Sequence, residues 1–240
     1  MFYSHLPMAT LHHVTSLDLP VSGERWQFET EHRSRIDAHF AKLRESKPQL
    51  WNGRVLLCRR PRVEHGAFRA EYFETDFASF IAWRDWGFPD SDVFNGFGAG
   101  ALCSADGAFI LGEMATHTAN AGRIYFPAGT PEPADIAGGR LDMEASIVRE
   151  MEEETGVPAA GYRMEAGWTV VQSGQLLAFF RLLSAHLSAH ELVPQIETFL
   201  RTCAHPELSR VIAVRSTADF QPAIREFVQA YLTDAFATTR

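Results

Sequence analysis

The sequence is poor in cysteine, in basic runs and in long apolar segments. Its 240 residues include three cysteines, at positions 58, 103 and 203. They stand far apart, and no CxxC pair or zinc-spaced Cys/His cluster accompanies them. We therefore expect neither disulfides nor a structural zinc site. Thiols used this sparingly are typical of a reducing compartment.

Positive charge is also scarce. The formal net charge is −8 at pH 7, and no long run of lysine and arginine occurs. A protein of this kind gains no general electrostatic help in holding nucleic acid, so we expect no nucleic-acid partner. An anionic substrate would need another source of positive charge.

No segment is apolar for long enough to span a membrane. One of the longest apolar runs, "LLAFFRLL", is short and is interrupted by Arg181. The N-terminus "MFYSHLPMAT" lacks a basic region followed by an apolar core, so no secretory signal is predicted. We expect no membrane partner and a cytoplasmic location.

The residues that are present suit a folded core of mixed type. The sequence is 46% hydrophobic and 22% charged, which is ordinary for a globular domain. Strand and helix patterns alternate, with hairpins among the strands, so we predict an α/β or α+β fold on a mixed sheet. We place a division near residue 95, between an N-terminal extension or subdomain (1–95) and a second domain (96–240). The predicted elements are strands in 10–21 and 54–60, helices in 23–46, 77–87 and 143–155, hairpins around "ADG" and "SG", a partly helical 190–203, a strand in 208–216, and a last helix with Pro222 near its start.

The helix predicted at 143–155 is unusually acidic. Asp142 suits its N-cap and Gly156 its C-terminal end. At about 100° per residue, Glu150, Glu153 and Glu154 share one arc, while a fourth glutamate at 152 falls on the other side. Carboxylates near a helix C-terminus are unfavourable, but hard divalent cations prefer clustered carboxylate oxygens. For this run alone, a solvated acidic surface is the competing interpretation.

The order of residues around the acidic run favours a divalent cation site over a solvated acidic surface. The segment "REMEEETGV" matches the second half of the Nudix box, R-E-U-x-E-E-x-G-U with U aliphatic, at every specified position. Met151 and Val157 take the two aliphatic positions. The preceding "YFPAGTPE" is similar to the family's loop, in which a Pro-Gly-Gly turn follows an aromatic residue. The chain therefore resembles the Nudix hydrolase family over roughly residues 96–235.

One part of the box departs from the family pattern G-x5-E-x7-R-E. Counting forward from Gly129 leads to Asp135 rather than to a glutamate, and thirteen residues instead of seven then separate Asp135 from Arg149. The loop is thus about six residues longer than the pattern. Asp135 is the best substitute for the leading acid by this count. The competing residues are Glu132, Asp142 and Glu144.

The resemblance implies an α/β/α sandwich that binds Mg²⁺ or Mn²⁺ and hydrolyses nucleoside diphosphates linked to another group, X. By position in the box, Glu153 and Glu154 correspond to the principal metal ligands and Glu150 to a further one. The backbone carbonyl near Ala128 corresponds to a position that often completes the coordination. Arg149 would orient Glu153 or the loop acid.

Other roles implied by the resemblance remain open. Gly129 would let the loop backbone approach the metal. The general base is often a box glutamate or an acid in a later loop; the candidates are Glu150, Glu191, Glu197 and Glu207, with Glu150 favoured. Arg123, in "HTANAGR", is a candidate substrate contact, with a purely structural loop as the alternative. The expected catalytic residues are therefore Glu150, Arg149 and Glu153.

The substrate class is the least determined property. An enlarged loop and an N-terminal extension favour a nucleotide sugar or a similar compound over the smallest nucleotides. A CoA- or ADP-ribose-type pyrophosphatase is the alternative within the family. A protein of another class, a Nudix-fold regulator that binds a ligand without turnover, is the third candidate. The expected partner is the small-molecule substrate, and many members of the family are homodimers.

Overall fold

Residues 9–238 are described by the computed structural model of the chain. The N-terminal segment in which no secretory signal is predicted lies mostly outside them. The helices are α1 (Gln27–Ser46), α2 (Phe77–Asp85), α3 (Met143–Thr155), α4 (Ala189–Thr202) and α5 (Glu226–Thr238). The strands are β1 (Thr10–Val14), β2 (Ser16–Asp18), β3 (Val21–Ser22), β4 (Arg54–Glu64), β5 (Ala67–Asp76), β6 (Val93–Cys103), β7 (Phe109–Met114), β8 (Ile124–Tyr125), β9 (Ala128–Gly129), β10 (Ile136–Ala137), β11 (Arg140–Leu141), β12 (Tyr162–Met164), β13 (Trp168–Ser173), β14 (Leu176–Ala185) and β15 (Leu208–Val214).

Strand β6 is the centre of the main sheet. One edge of it pairs in parallel with β14, from Asn95 opposite Leu176 to Cys103 opposite Ser184. The other edge pairs antiparallel with β4, then β9, then β7. Beyond β14 the sheet continues through β13 to β1, and beyond β4 through β5 to β2. A mixed sheet with helices packed on it confirms the predicted fold class.

The N-terminal strands β4 and β5 are buried on both faces. In β4, Val55 and Leu57 point into a small aromatic cluster with α1 and α2, whereas Leu56 and Cys58 point into the main core. This alternation is the period of two that a strand requires. Residue 95 lies inside β6, and the division of the chain near that position stays a prediction.

Helix α3 lies unusually close to β6. A Cβ atom at Gly98 would be 2.7 Å from Ile147 Cγ1, and one at Gly100 would be 2.6 Å from Met151 Cε. Both distances are too short for real side chains. The absence of side chains at Gly98 and Gly100 therefore lets the buried residues Ile147 and Met151 pack directly onto the sheet. This contact fixes the position of the acidic turn that follows.

Two predicted helices differ from the structure in detail. The region expected to be partly helical is helical throughout α4 despite Pro194. A capping box between Ser188 and Glu191, and the buried face of Leu192, Ile196 and Leu200, stabilise it. Helix α5 begins at Glu226, so the proline at 222 precedes its first turn instead of entering it. Among residues 9–238, no helix combines the length and the apolar character needed to cross a bilayer.

Candidate active site

The acidic helix has the predicted ends. The Asp142 side chain accepts a hydrogen bond from the Ala145 N–H at 3.0 Å, as an N-cap does. Gly156 ends the helix with φ +69°, a conformation that favours glycine. Between them, Glu152 is exposed while Glu154 is buried, so the glutamates divide between the two sides of the helix as expected.

Glu154 is a buried carboxylate with one donor. It is 3% exposed, and the Ala128 N–H donates to its Oε2 at 3.1 Å. Burial, followed by the charges of Glu150 and Glu207, raises its pKa well above the ordinary value. The structure thus assigns the Ala128 N–H to Glu154, whereas the predicted role of the carbonyl at that position stays a prediction.

Glu150 lies against the backbone of the preceding loop. A Cβ atom at Gly129 would collide with its carboxylate as placed, so glycine lets the carboxylate lie directly against the loop. The Glu150 side chain is 13% exposed. Burial raises its pKa to about 7, opposed by Arg149 and reinforced by Glu153 and Glu207.

Arg149 holds the acids in place. Its Nε and Nη2 donate to the two oxygens of Asp135 at 3.3 and 3.1 Å, and its Nη1 lies 2.8 Å from Glu150 and 3.1 Å from Glu153. Asp135 is 6% exposed and also accepts from the Glu132 N–H at 2.9 Å. A forked contact of this kind fixes the orientation of both partners.

Asp135 therefore contacts the box arginine, as the forward count predicts for the leading acid. Of its competitors, Asp142 caps α3, Glu144 pairs with Arg181 at 2.9 Å, and Glu132 contributes its backbone N–H to Asp135.

Glu153 differs from the other two acids of its arc, Glu150 and Glu154, because its side chain is 60% exposed. Its role as a principal metal ligand stays a prediction.

The additional residues of the loop form a separate hairpin. Strands β10 and β11 pair across a turn at Gly138 and Gly139, both with positive φ, as such tight turns require. The Asp142 N–H donates to the Asp135 carbonyl at 2.8 Å and closes the base of this hairpin. Residues 136–141 are therefore an excursion of six residues between two bonded neighbours. Without them, seven residues would separate Asp135 from Arg149, which is the spacing of the family pattern.

The hairpin also contacts the N-terminal part of the chain. The Val21 N–H donates to the Gly139 carbonyl at 3.0 Å, and the Leu141 N–H donates to the Leu19 carbonyl at 2.9 Å. Arg140 pairs with Asp18. The loop that carries Asp135 is thus joined to the first strands of the chain.

A cavity of about 660 Å³ opens beside the acids. Glu132, Glu150 and Glu207 line it together with Ala128 and Gly129. Its volume lies within the usual range for small-molecule sites, roughly 300–1,000 Å³. The remaining lining includes aromatic and amide side chains from segments before and after the box, namely Phe77, Phe80, Phe88, Asn95, Phe97, Asn120, Tyr125, Gln175 and Phe227.

The cavity separates the candidates for the general base. Glu207 lines the cavity, and its charge helps to raise the pKa of both Glu150 and Glu154. Glu191 instead accepts hydrogen bonds from the Ser188 N–H and hydroxyl at the start of α4. Glu197 lines a different cavity of about 700 Å³. Arg123 is exposed and is absent from the described lining of the acidic cavity.

Several lining residues have no sequence signal. Arg84, Phe88 and Arg225 reach the cavity from α2, from the turn after it and from the residue before α5. Asn95 also lines it, with a buried Oδ1 that has no hydrogen-bond partner among the described residues. Only the tertiary fold brings these positions together, since no spacing along the chain relates them.

The donor set suits a hard cation. Among residues 9–238, no three Asp, Glu, His or Cys side chains are arranged to hold a metal ion as they stand, and Arg149 engages Glu150 and Glu153. Burial, with the charge of Glu207 acting in the same direction, nevertheless raises the pKa of both Glu150 and Glu154, so carboxyl groups are gathered here in a partly buried space. Carboxylate oxygens of this kind are the ligands that Mg²⁺ and Mn²⁺ prefer.

Comparisons with known proteins give structural neighbours only. No family model matches the sequence, and no curated protein matches it significantly. The chain is similar to a Nudix hydrolase from M. smegmatis, RenU, at 18% identity and a TM-score of 0.41, over 61% of this chain and 88% of the other. It is also similar to a MutT protein from Methanosarcina mazei Go1, at 13% identity and a TM-score of 0.41, over 61% of this chain and 96% of the other. A Nudix hydrolase from Nitrosomonas europaea is similar at 16% identity and a TM-score of 0.35, over 61% of this chain and 91% of the other. Two of these neighbours bear the name of the family that the box resembles, and at these scores the likeness decides nothing about activity.

Proposed function

We propose that this chain is a Mg²⁺- or Mn²⁺-dependent hydrolase of the Nudix type that cleaves the diphosphate linkage of a nucleoside diphosphate-X compound. The observation that carries the proposal is the meeting of Glu150 and Glu207 at one cavity, with Glu154 buried within reach of both charges and with Arg149 and Asp135 bracing Glu150. A nucleotide sugar or a similar compound is the favoured substrate class, and the 660 Å³ cavity has room for it.

The resemblance and the donor set together name the residues that would hold the cation. These are Glu150, Glu154 and, by its place in the box, Glu153, with the carbonyl near Ala128. A divalent ion held there would neutralise the diphosphate oxygens and acidify the attacking water. Arg149 keeps the Glu150 carboxylate in position, and Asp135 keeps Arg149 in position.

The base is proposed from position and charge. Glu150 and Glu207 line the cavity, so either carboxylate is placed to accept the proton of the attacking water. Glu207 is the one that the box does not include. Glu207→Gln separates the two: loss of turnover with unchanged affinity for the cation would identify Glu207 as the base, whereas undiminished turnover would leave Glu150.

The test of the function is metal-dependent product release. The purified chain is incubated with UDP-glucose, ADP-ribose, NAD⁺ and CoA, each with Mg²⁺, with Mn²⁺ and with EDTA. Release of a nucleoside monophosphate (from CoA, of adenosine 3′,5′-bisphosphate) with either ion, and none with EDTA, is the expected result. Binding of a substrate without release under every condition would favour the ligand-binding regulator instead.

A further inference from the structure

Two arginines line the cavity from distant parts of the chain. Arg84 lies in the last turn of α2, and Arg225 lies directly before α5. Arg84 is bonded to Asp85 at 3.0 and 2.9 Å. Arg225 has no Asp or Glu oxygen within 4.0 Å among residues 9–238. The cavity thus contains a guanidinium without an ionic partner in the described part of the chain.

The surroundings of Arg225 add positive charge. Partial burial, followed by the charge of Arg123, lowers its pKa; Arg84 acts in the same direction, and the charge of Glu226 opposes them. Like charges placed together cost free energy unless an opposite charge joins them. In a protein with a net charge of −8, a group of arginines beside a cavity is the place where a bound anion would be stabilised most by electrostatic attraction.

An aromatic ring is held beside these arginines in a strained conformation. Phe88 has φ +61°, directly after Gly87 at +82°, and it is 37% exposed. For a residue with a side chain this conformation is sterically unfavourable. The Phe88 N–H donates to the Trp83 carbonyl at 2.9 Å, and the two rings are 4.7 Å apart. The fold therefore maintains the ring on the cavity wall at a cost.

These arginines are distinct from the one that serves the acids. Among residues 9–238, the arginine that forms ion pairs with Glu150 and Glu153 is Arg149, and neither Arg84 nor Arg225 pairs with those acids. Both cavity arginines come from outside the box, and Arg84 belongs to the N-terminal part of the chain.

Resting on the proposed function, we infer that Arg84 and Arg225 form an anion subsite for a second negatively charged group of the substrate, additional to the diphosphate. A guanidinium presents a planar fork of donors that matches a phosphate or carboxylate oxygen pair. The shared chemistry is an oxyanion, supplied either by a phosphate monoester on the nucleoside ribose or by a carboxylate on X.

Matched substrates that differ by one anionic group provide the test. The pairs are CoA and dephospho-CoA, NADP⁺ and NAD⁺, and UDP-glucuronate and UDP-glucose; the first two differ by a phosphate and the third by a carboxylate. We expect the anionic member of at least one pair to have a KM lower by about 10-fold or more, as hydrogen bonds to charged groups supply. Which pair responds identifies the source of the oxyanion.

The variants assign the preference to the arginines. Arg225→Ala and Arg84→Ala should each remove most of the KM difference by raising the KM of the member that carries the additional anionic group, and Arg225→Lys should restore part of the difference. Arg163→Ala is the matched control, because Arg163 is exposed and pairs with Glu165 away from the cavity. Equal KM values within every pair, with hydrolysis still observed, would overturn the subsite and leave the proposed function standing.

A binding measurement keeps the two proposals separate. In EDTA, calorimetry compares adenosine 3′,5′-bisphosphate with adenosine 5′-monophosphate for the wild-type chain and for Arg225→Ala. Tighter binding of the bisphosphate by the wild type, lost in the variant, would support the subsite even if no compound is hydrolysed. Equal binding of both nucleotides by the wild type would count against it.

Discussion

The cavity joins two charged regions that are built in different ways. The acidic region comes from one turn of α3, where Glu150 and Glu154 are four residues apart. The basic region comes from Arg84 and Arg225, which belong to opposite ends of the chain. The acids are braced by Arg149 and Asp135, whereas Arg225 has no carboxylate within ion-pair distance among residues 9–238. A local motif can therefore specify a reaction centre, while contacts with the rest of a substrate depend on the whole fold.

The largest expected effect on activity comes from a substitution in the acidic region. Glu154→Gln should abolish Mg²⁺-dependent hydrolysis, because a buried carboxylate that would hold the cation is lost. The same variant should unfold at a higher temperature than the wild type in EDTA above neutral pH. The raised pKa means that ionising Glu154 costs stability as the pH rises above its ordinary value.

Glu152→Gln is the matched control, since Glu152 is exposed on the other side of α3. It should change neither rate nor melting temperature. Undiminished turnover in Glu154→Gln would contradict the assignment of the cation site. Binding of adenosine 3′,5′-bisphosphate in EDTA should survive in both variants, because the basic region is untouched.

The two kinds of arginine should differ in their effect on stability. Arg149→Ala leaves the buried Asp135 without its ionic partner, and breaking such a pair typically costs about 3–5 kcal/mol. Arg225→Ala removes no ion pair with a described residue, so its effect should stay within about 0.5 kcal/mol. Urea unfolding measures both.

A double-mutant cycle isolates the contact. Asp135→Asn combined with Arg149→Ala should cost less than the sum of the single changes. Additive costs would show that the two side chains do not stabilise one another.

The hairpin of residues 136–141 contains neither charged region and is absent from the described lining of the cavity. Deleting these residues removes two backbone hydrogen bonds to the N-terminal segment, each worth about 0.5–1.5 kcal/mol, together with the buried side chain of Leu141. We expect a fall in the free energy of unfolding larger than the two hydrogen bonds alone, with Mg²⁺-dependent turnover and the preference for the anionic substrate both retained. Loss of turnover in the folded variant would show that the hairpin supports the acids.

Arg140→Ala is the control for the deletion. It removes only the pair with Asp18, in which the Arg140 side chain is 51% exposed, so about 0–1 kcal/mol is expected.

The smallest effect should come from a site that belongs to neither region. Asp106 accepts from the Ala189 N–H, from Arg215 and from the Ser104 hydroxyl, and these contacts lower its pKa. Its contribution to stability is therefore present above the ordinary value and lost as the pH falls through the lowered one. Asp106→Asn should melt slightly below the wild type at neutral pH, and the difference should close in acid. A difference that stays constant with pH would mean that the charge is not responsible.

The sequence predicts best where one segment carries the whole signal. Helix α3 has the predicted caps because Asp142 and Gly156 are local determinants. The count that selects Asp135 agrees with its contact to Arg149, since the motif fixes both positions. Arg84, Phe88 and Arg225 could not be predicted as neighbours, because tertiary packing alone brings them to one cavity. Residues 190–203 are predicted to be partly helical, and the buried face of α4 makes the helix continuous there.

The closed base of the hairpin has a consequence for how such chains are identified. A sequence pattern with fixed spacing fails at Ile136, where the insertion begins. If the residue after Asp135 is instead taken to be its hydrogen-bonded neighbour Asp142, the spacing to Arg149 agrees with the pattern. An inserted segment whose two ends are hydrogen-bonded changes the residue spacing of a motif but not the positions of its side chains in space. Chains with several such insertions would be invisible to linear searches, yet they would be recognisable from which residues are neighbours in space.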